Sequence, residues 1–302
     1  LTCYGYSRST SPNIDRLAER GVLFENAVSQ APWTTPSFAS VFTSLYPSQH
    51  GATSVNTRMR NSVATMAGIL KAKGYSTGAV VNATTLKPAY GLNRGFDFYD
   101  MPGKEERDAI ATTYDALRWI DEHRGHPFFI FIHYFDPHLP YSPPIRYATL
   151  YDPDYSGNLG WSFNLEGFSQ VRQKMFEQMK VLSDADRNHL VALYDGEIAY
   201  TDSAIGILLS ELEKRHLSDN TLIIFLSDHG EEFFEHGGFE HGHSLYNELI
   251  RVPLILSMPQ RLPSGIRVKR FVRLIDVLPT VLALLSIEPL QSFEGVNLLP
   301  AI

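Results

Sequence analysis

Short apolar runs alternate along this chain with longer amphipathic stretches. Pro127–Phe135, Thr221–Leu226 and Val252–Ser257 are nearly all apolar and read as buried strands. Val22–Ala27 and Ser76–Asn82 are also extended. Between them lie helical patterns. Ile14–Arg20 follows a cap at Ser11 and a first-turn proline, Pro12, and is stopped by Gly21. Pro36–Leu45 follows a Thr/Ser/Pro loop, and Ser62–Lys73 ends at Gly74. Glu105–His123, Asp184–His216 and Ile275–Leu285 complete the helical set. Continuous apolar strands separated by helices predict an α/β fold with a largely parallel central sheet and helices on both faces. Residues 140–182 break the pattern, with clustered Pro, Tyr, Gly and Asp before a helical Val171–Lys180. They read as an insertion or lid on a single catalytic domain spanning 1–302.

Composition narrows the function classes. Hydrophobic content of 44% and charged content of 20% are ordinary for a globular domain. The net charge of -7, with no basic stripe, argues against a nucleic-acid partner. No apolar run reaches membrane-spanning length. Cys3, the single cysteine, has no internal disulfide partner. The chain starts at Leu1, inside a motif, so we expect part of the N-terminal region to lie outside this sequence.

Ligand sites in such sheets lie beyond the carboxyl ends of the strands. Asn82, Asp136-Pro137-His138 and Asp228-His229 all stand there, so three strands point polar groups at one crevice. In Ser227-Asp228-His229-Gly230-Glu231, an Asp and a His are metal ligands delivered on a rigid element. His236, His241 and His243 follow closely. Thr34-Thr35-Pro36-Ser37 precedes a helix, where free N–H groups suit an anion and a metal-ionised hydroxyl becomes a nucleophile. Equally, Thr34 or Thr35 serves as a plain N-cap. His50 reads as fixing the turn beside Gly51, and His133 as a core or second-layer histidine. The loop Glu235–His243 reads either as a second metal site with Asp136 or His138, or as a solvated loop. For Asp195, Glu197 and Asp202 on one helix, capping and solvation are the default.

A series of motifs carries a family resemblance. Thr10-Ser11-Pro12-Asn13-Ile14-Asp15-Arg16-Leu17-Ala18, Thr34-Thr35-Pro36-Ser37 and Leu45-Tyr46-Pro47-Ser48-Gln49-His50-Gly51 resemble successive N-terminal motifs of the sulfatase family, in the alkaline phosphatase superfamily. Asp136-Pro137-His138-Leu139-Pro140-Tyr141 is similar to its Pro-His-x-Pro element, and Ser227–Glu231 to its second metal motif. His243–Glu248 with Arg251–Ile255 resembles its late signature. The resemblance implies a metal-dependent hydrolase of sulfate or phosphate esters. Thr34, Asp228 and His229 would hold a divalent ion (Mn, Zn, Mg or Ca), with Thr34 as nucleophile. His138 and His243 would contact the equatorial oxygens or protonate the leaving group, and Asn82 and His241 would bind substrate. The substrate would be a small-molecule, glycan or lipid ester, and the family favours the periplasm or cell envelope.

Departures from the family pattern set the subclass. Thr34 occupies the Cys/Ser position that matures to formylglycine, so no formylglycine is expected. Phe38 replaces the accompanying arginine, Asn82-Ala83-Thr84 the Gly-Lys-Trp-His element, and Gly242 the late lysine. The pattern resembles the phosphoester branches. A head-group transferase of phosphoethanolamine or phosphoglycerol, or a degenerate binding domain, are the alternatives. The family's first metal-binding Asp, on a first central strand, would precede Leu1.

Overall fold

The computed structural model describes residues 1–103, 107–166, 172–288 and 293–302. The chain opens with α1 (Pro12–Glu19), β1 (Val22–Val28), α2 (Thr34–Thr43) and the short α3 (Pro47–His50). Next come α4 (Met66–Ala72), β2 (Ser76–Val80), β3 (Phe98–Asp100), α5 (Ala109–His123) and β4 (Phe128–Ile132). Helices α6 (Ile145–Ala148) and α7 (Arg172–Met179) precede the long α8 (Asp184–Lys214). Then follow β5 (Ile223–Leu226), β6 (Glu232–Phe233), β7 (Phe239–Glu240), α9 (Asn247–Ile250), β8 (Arg251–Val252), β9 (Leu254–Ser257), β10 (Ile266–Arg273) and α10 (Val277–Leu284).

Capping chemistry sets where several helices begin. Thr65 accepts from the Gly68 amide, so α4 starts later than Ser62. Asp108 accepts from the Ala111 amide and starts α5; Glu105 and Glu106 lie outside the described residues, as does Val171. Helix α1 departs from expectation. Ser11 is its N-cap residue, yet its side chain makes no capping bond. Asp202, from the middle of α8, accepts from the backbone amides of Asn13 and Ile14 and from the Asn13 side chain. A carboxylate on one helix thus caps another.

The molecule is α/β, with two main sheets. One, in the order β3-β2-β4, is wholly parallel. The other runs β10-β1-β9-β5. There β1 and β10 are parallel, while β9 is antiparallel to both β1 and β5. Strands β5 and β9 are joined through residues 227–253 without a long crossover helix, and an antiparallel neighbour needs none. Alternation along the strands buries both faces. Val22, Phe24, Leu254 and Leu256 pack with α2, α4 and α10, and Leu23 and Ile255 pack with Ile14, Leu17 and Ile205 of α1 and α8.

The described residues of 140–182 pack against α8. Tyr141, Phe163, Met175 and Met179 make one apolar cluster with Leu190, Leu193 and Phe239. His189, fully buried on α8, holds Asp152 through Nδ1 at 2.9 Å and the Gly160 carbonyl through Nε2 at 2.7 Å.

Strands β4 and β5 are the facing edges of the two sheets, and a cavity of about 1190 Å³ runs between them. Phe128–Ile132 and Ile223–Leu226 form its two long walls. Residues of α2 such as Phe38 and Phe42 close one side, and residues of α5 and α8 such as Ile120 and Leu208 close the other. The strand residues are half-buried, although their composition is that of a fully covered core.

Candidate active site

At one end of this cavity the apolar walls give way to polar residues. Thr34, His133, His138, Asp228, His229, Glu231 and His241 all line it. Each is positioned by a nearby strand end or helix start. Asp228 stands two residues beyond β5, and the loop carrying it is tied down by its own backbone. Ser227 donates to the His229 carbonyl at 2.6 Å, and the Gly230 amide donates to the Leu249 carbonyl at 2.8 Å. Gly230 is required at that contact. A Cβ there would lie 2.0 Å from the Glu248 carbonyl oxygen.

Thr34 is not the helix cap. Trp33 is the N-cap residue of α2, and Thr34 is already in its first turn. With no capping duty, the Thr34 hydroxyl points outward and lies 3.3 Å from His229 Nε2. Thr35 is turned elsewhere, donating to the Thr85 carbonyl at 2.6 Å. Ser37, one turn further along α2, donates to the Asp228 carbonyl at 2.7 Å. That bond ties the helix bearing Thr34 to the loop bearing Asp228 and His229.

The His229 ring is oriented by Nδ1, which lies 2.9 Å from the Gly230 carbonyl and serves as donor to it. The lone pair is then on Nε2, facing Thr34. Asp228 Oδ2 lies 3.5 Å from the same nitrogen, and it is buried without a hydrogen-bond partner. Four ligands held at ~2.1 Å around a tetrahedral ion stand roughly 3.4 Å apart. The Thr34–His229 and Asp228–His229 separations match that spacing. A buried, orphaned carboxylate oxygen beside an imidazole lone pair is a donor set suited to a divalent cation. Among the described residues, no three His, Cys, Asp or Glu side chains are arranged to hold a metal by themselves. The fit therefore rests on the Asp-His pair with the Thr34 hydroxyl.

Two further histidines complete the cluster. The His241 ring stacks near His229 at 4.2 Å and meets His138 at 5.1 Å. Glu231 holds His241 Nδ1 at 3.0 Å. Burial pulls the His241 pKa down, but the bond to Glu231 together with the negative charges of Glu231, Glu240 and Asp228 outweighs it, and the net shift is upward. His138 is shifted the other way, by burial and then by the neighbouring His241. Its Nδ1 donates to the Leu139 carbonyl, which leaves Nε2 as the proton-accepting nitrogen. His133 packs edge-on against Phe38 at 5.6 Å, and burial holds its pKa down to about 4.

Not every expected residue comes to the cavity wall. Asn82 is buried, and its amide group donates to Thr112 Oγ1 and to the His133 carbonyl. It supports the strand end that carries His133. His243 stands behind the cluster, with Nε2 2.7 Å from Glu232 and its ring against Phe176. The loop Glu235–His243 is not a loose solvated segment. Strand β7 within it pairs with β6 just before it, and Glu232 accepts from the amides of His236 and Gly238 as well as from His243.

His50 does fix its turn. It is fully buried, binds Ser40 Oγ at 3.0 Å and accepts from the Ala52 amide, beside Gly51 at φ 88°. Three carboxylates of α8 are buried and hydrogen-bonded, where capping and solvation were the expectation. Asp195, Glu197 and Asp202 are at most 2% exposed. Asp195 accepts from Tyr6 and Arg8, and Glu197 accepts from the amides of His138 and Ser142. The available signal was their company on the helix, among Leu190, Leu193, Ala204 and Ile205.

Parallel and antiparallel strands sandwiched by helices, with a Thr-Asp-His group at the carboxyl end of the strands, define an α/β protein with a candidate metal-ion site. The chain belongs to the Sulfatase family, whose model matches residues 1–287. It is 28% identical to an ulvan-active sulfatase of Formosa agariphila, over 95% of this chain and 59% of that protein. Its fold is similar to that of a solved structure in complex with its substrate D-glucosamine-2-N,6-O-disulfate, with TM-score 0.83 and 20% identity over 99% of this chain and 76% of the other. It is similar as well to the phosphonate monoester hydrolase of Agrobacterium radiobacter, with TM-score 0.81 and 20% identity over 99% of this chain and 73% of the other. The chain spans between 57% and 67% of the length of the first three curated relatives it matches.

Proposed function

We propose that this chain is the catalytic part of a metal-dependent hydrolase that cleaves phosphate esters, or sulfate esters less readily, through Thr34. The observation that carries the proposal is the approach of the Thr34 hydroxyl and the orphaned Asp228 Oδ2 to one nitrogen, His229 Nε2. A divalent cation bound there would supply the positive charge that makes a hydroxyl nucleophilic at neutral pH. The remaining work falls to the chain itself. The first turn of α2 presents free backbone N–H groups to an anionic ester group. Thr34 Oγ passes its proton to His138 Nε2 as it forms the new bond to phosphorus or sulfur, the bond to the ester oxygen breaks, and that oxygen departs with a proton from His138 or His241. Water then cleaves the Thr34 ester. His138 and His241 are supported in this role by their place on the cavity wall.

Two features favour phosphoryl over sulfuryl transfer. Phe38 stands where the family's arginine belongs, and it packs edge-on against Phe131 at 4.9 Å, an apolar ring in place of a cation. Gly242 stands at the late lysine position with φ 79°, a left-handed conformation that side chains rarely adopt. We extend the proposal to the cavity between β4 and β5. Among the described residues, the edges of β4 and β5 that face it take no partner strand, and the ester would enter at its polar end. Residues 140–182 would act as the lid.

The test is a parallel assay of the full-length, metal-loaded protein with p-nitrophenyl phosphate, bis-p-nitrophenyl phosphate and p-nitrophenyl sulfate. The expected result is faster turnover of one or both phosphate esters. Faster turnover of the sulfate ester would reverse the phosphoryl preference.

A further inference from the structure

Helix α8 reaches the site through one side chain. Glu197 lies in its middle, 1% exposed, and its two carboxylate oxygens are used separately. Oε2 accepts from the His138 amide at 3.1 Å, and Oε1 accepts from the Ser142 amide at 2.7 Å. The two donors flank the turn Leu139-Pro140-Tyr141. One carboxylate therefore grips both ends of the loop that carries His138. One turn further along the helix, Thr201 Oγ1 donates to the Asp136 carbonyl at 3.1 Å and fixes the start of the same loop. Gly196, beside Glu197, lets α6 pack closely on the helix, because a Cβ there would lie 2.7 Å from the Tyr147 carbonyl oxygen. The His138 ring is then held between Phe135, at 4.4 Å, and His241, at 5.1 Å, on the wall of the cavity shared with Thr34.

We propose that Glu197 is a positioning residue for the reaction: it acts through His138 by clamping the His138–Ser142 turn. The inference rests on the reading of His138 as the group that carries a proton between Thr34 and the leaving oxygen. Its physical basis is the acceptor count. A carboxylate offers acceptors on both oxygens, whereas an amide of the same shape offers an acceptor on one side and a donor on the other. Glu197→Gln keeps the volume but sets an N–H against one of the two backbone N–H groups. The turn must then shift at His138 or at Ser142. A displacement on the order of 1 Å in a catalytic group costs up to about 10²-fold in rate.

The experiment is a double-mutant cycle in the full-length, metal-loaded protein, using bis-p-nitrophenyl phosphate and separating kcat from KM. Glu197→Gln is expected to lower kcat by roughly 10- to 100-fold, with KM changed much less. In a His138→Ala background the same substitution is expected to change kcat by less than about twofold, as coupled residues require. Imidazole NMR signals of His138 are expected to move in Glu197→Gln while those of the distant His50 stay in place, a readout independent of turnover. Equal losses from Glu197→Gln in both backgrounds would overturn the proposal, since the residue would then act elsewhere. So would unmoved His138 signals, or a His138→Ala protein with wild-type kcat. If any of these occurs while Thr34→Ala still abolishes turnover, the positioning role falls and the Thr34 reading stands.

Discussion

Thr34 is separated from Asp228 and His229 by nearly two hundred residues, yet its hydroxyl and Asp228 Oδ2 both lie within 3.5 Å of His229 Nε2. Hydrogen bonds that the motif letters do not reveal hold them there: Ser37 to the Asp228 carbonyl, and the Gly230 amide to Leu249. The unpaired Asp228 Oδ2 gives this group its clearest chemical signature. An Asp228→Asn substitution in the full-length protein is expected to weaken Mn²⁺ binding by at least ~10²-fold, because it removes a ligand and not an outer partner. Calorimetric titration of the metal-stripped protein measures this. Unchanged affinity would take Asp228 out of the metal site. At this scale much was legible. The Asp-His pair at a strand end and the Thr-Thr-Pro-Ser turn both marked the site, because strand ends converge in such folds. What the sequence could not distinguish was which of two adjacent threonines faces the site. That is decided by a one-residue difference in where α2 starts, with Trp33 as its cap residue. Asn82 illustrates the opposite limit. Its position after β2 is right for a substrate contact, but its amide is engaged by Thr112 and the His133 carbonyl.

Among the elements, α8 organises the molecule. Its sequence announced a long helix, and its capping box at Ser183 and Asp186 explains the start. Its three buried carboxylates were not legible as anchors, since periodicity shows which face a residue occupies and not what it meets there. Each anchors a different segment: Asp195 the N-terminal loop, Glu197 the His138 turn, and Asp202 the start of α1. Asp202 is the simplest to test for stability. Asp202→Ala would leave the buried Ile14 amide and the Asn13 amide without acceptors, a loss of about 2–4 kcal/mol. Urea denaturation of the full-length protein measures it, and a change below about 0.5 kcal/mol, typical of a surface substitution, would show that α1 is capped by other means.

For the molecule as a whole, the alternation of apolar runs and amphipathic helices specified an α/β architecture with both sheet faces covered. The direction of β9 was not specified, because apolar runs carry no sign of parallel or antiparallel pairing. The cavity between β4 and β5 was equally invisible, since strand order depends on long-range pairing. At its polar end, in the proposed reaction, Thr34 performs the bond-making step. The most direct measurement is kcat/KM of Thr34→Ala against the unaltered full-length protein, both loaded with metal and assayed on the ester turned over fastest. The account predicts a loss of several orders of magnitude, on the scale of the ~10⁶-fold seen when a hydrolase nucleophile is removed. Turnover near the unaltered rate would contradict it and pass the role to Thr35 or to a metal-bound water.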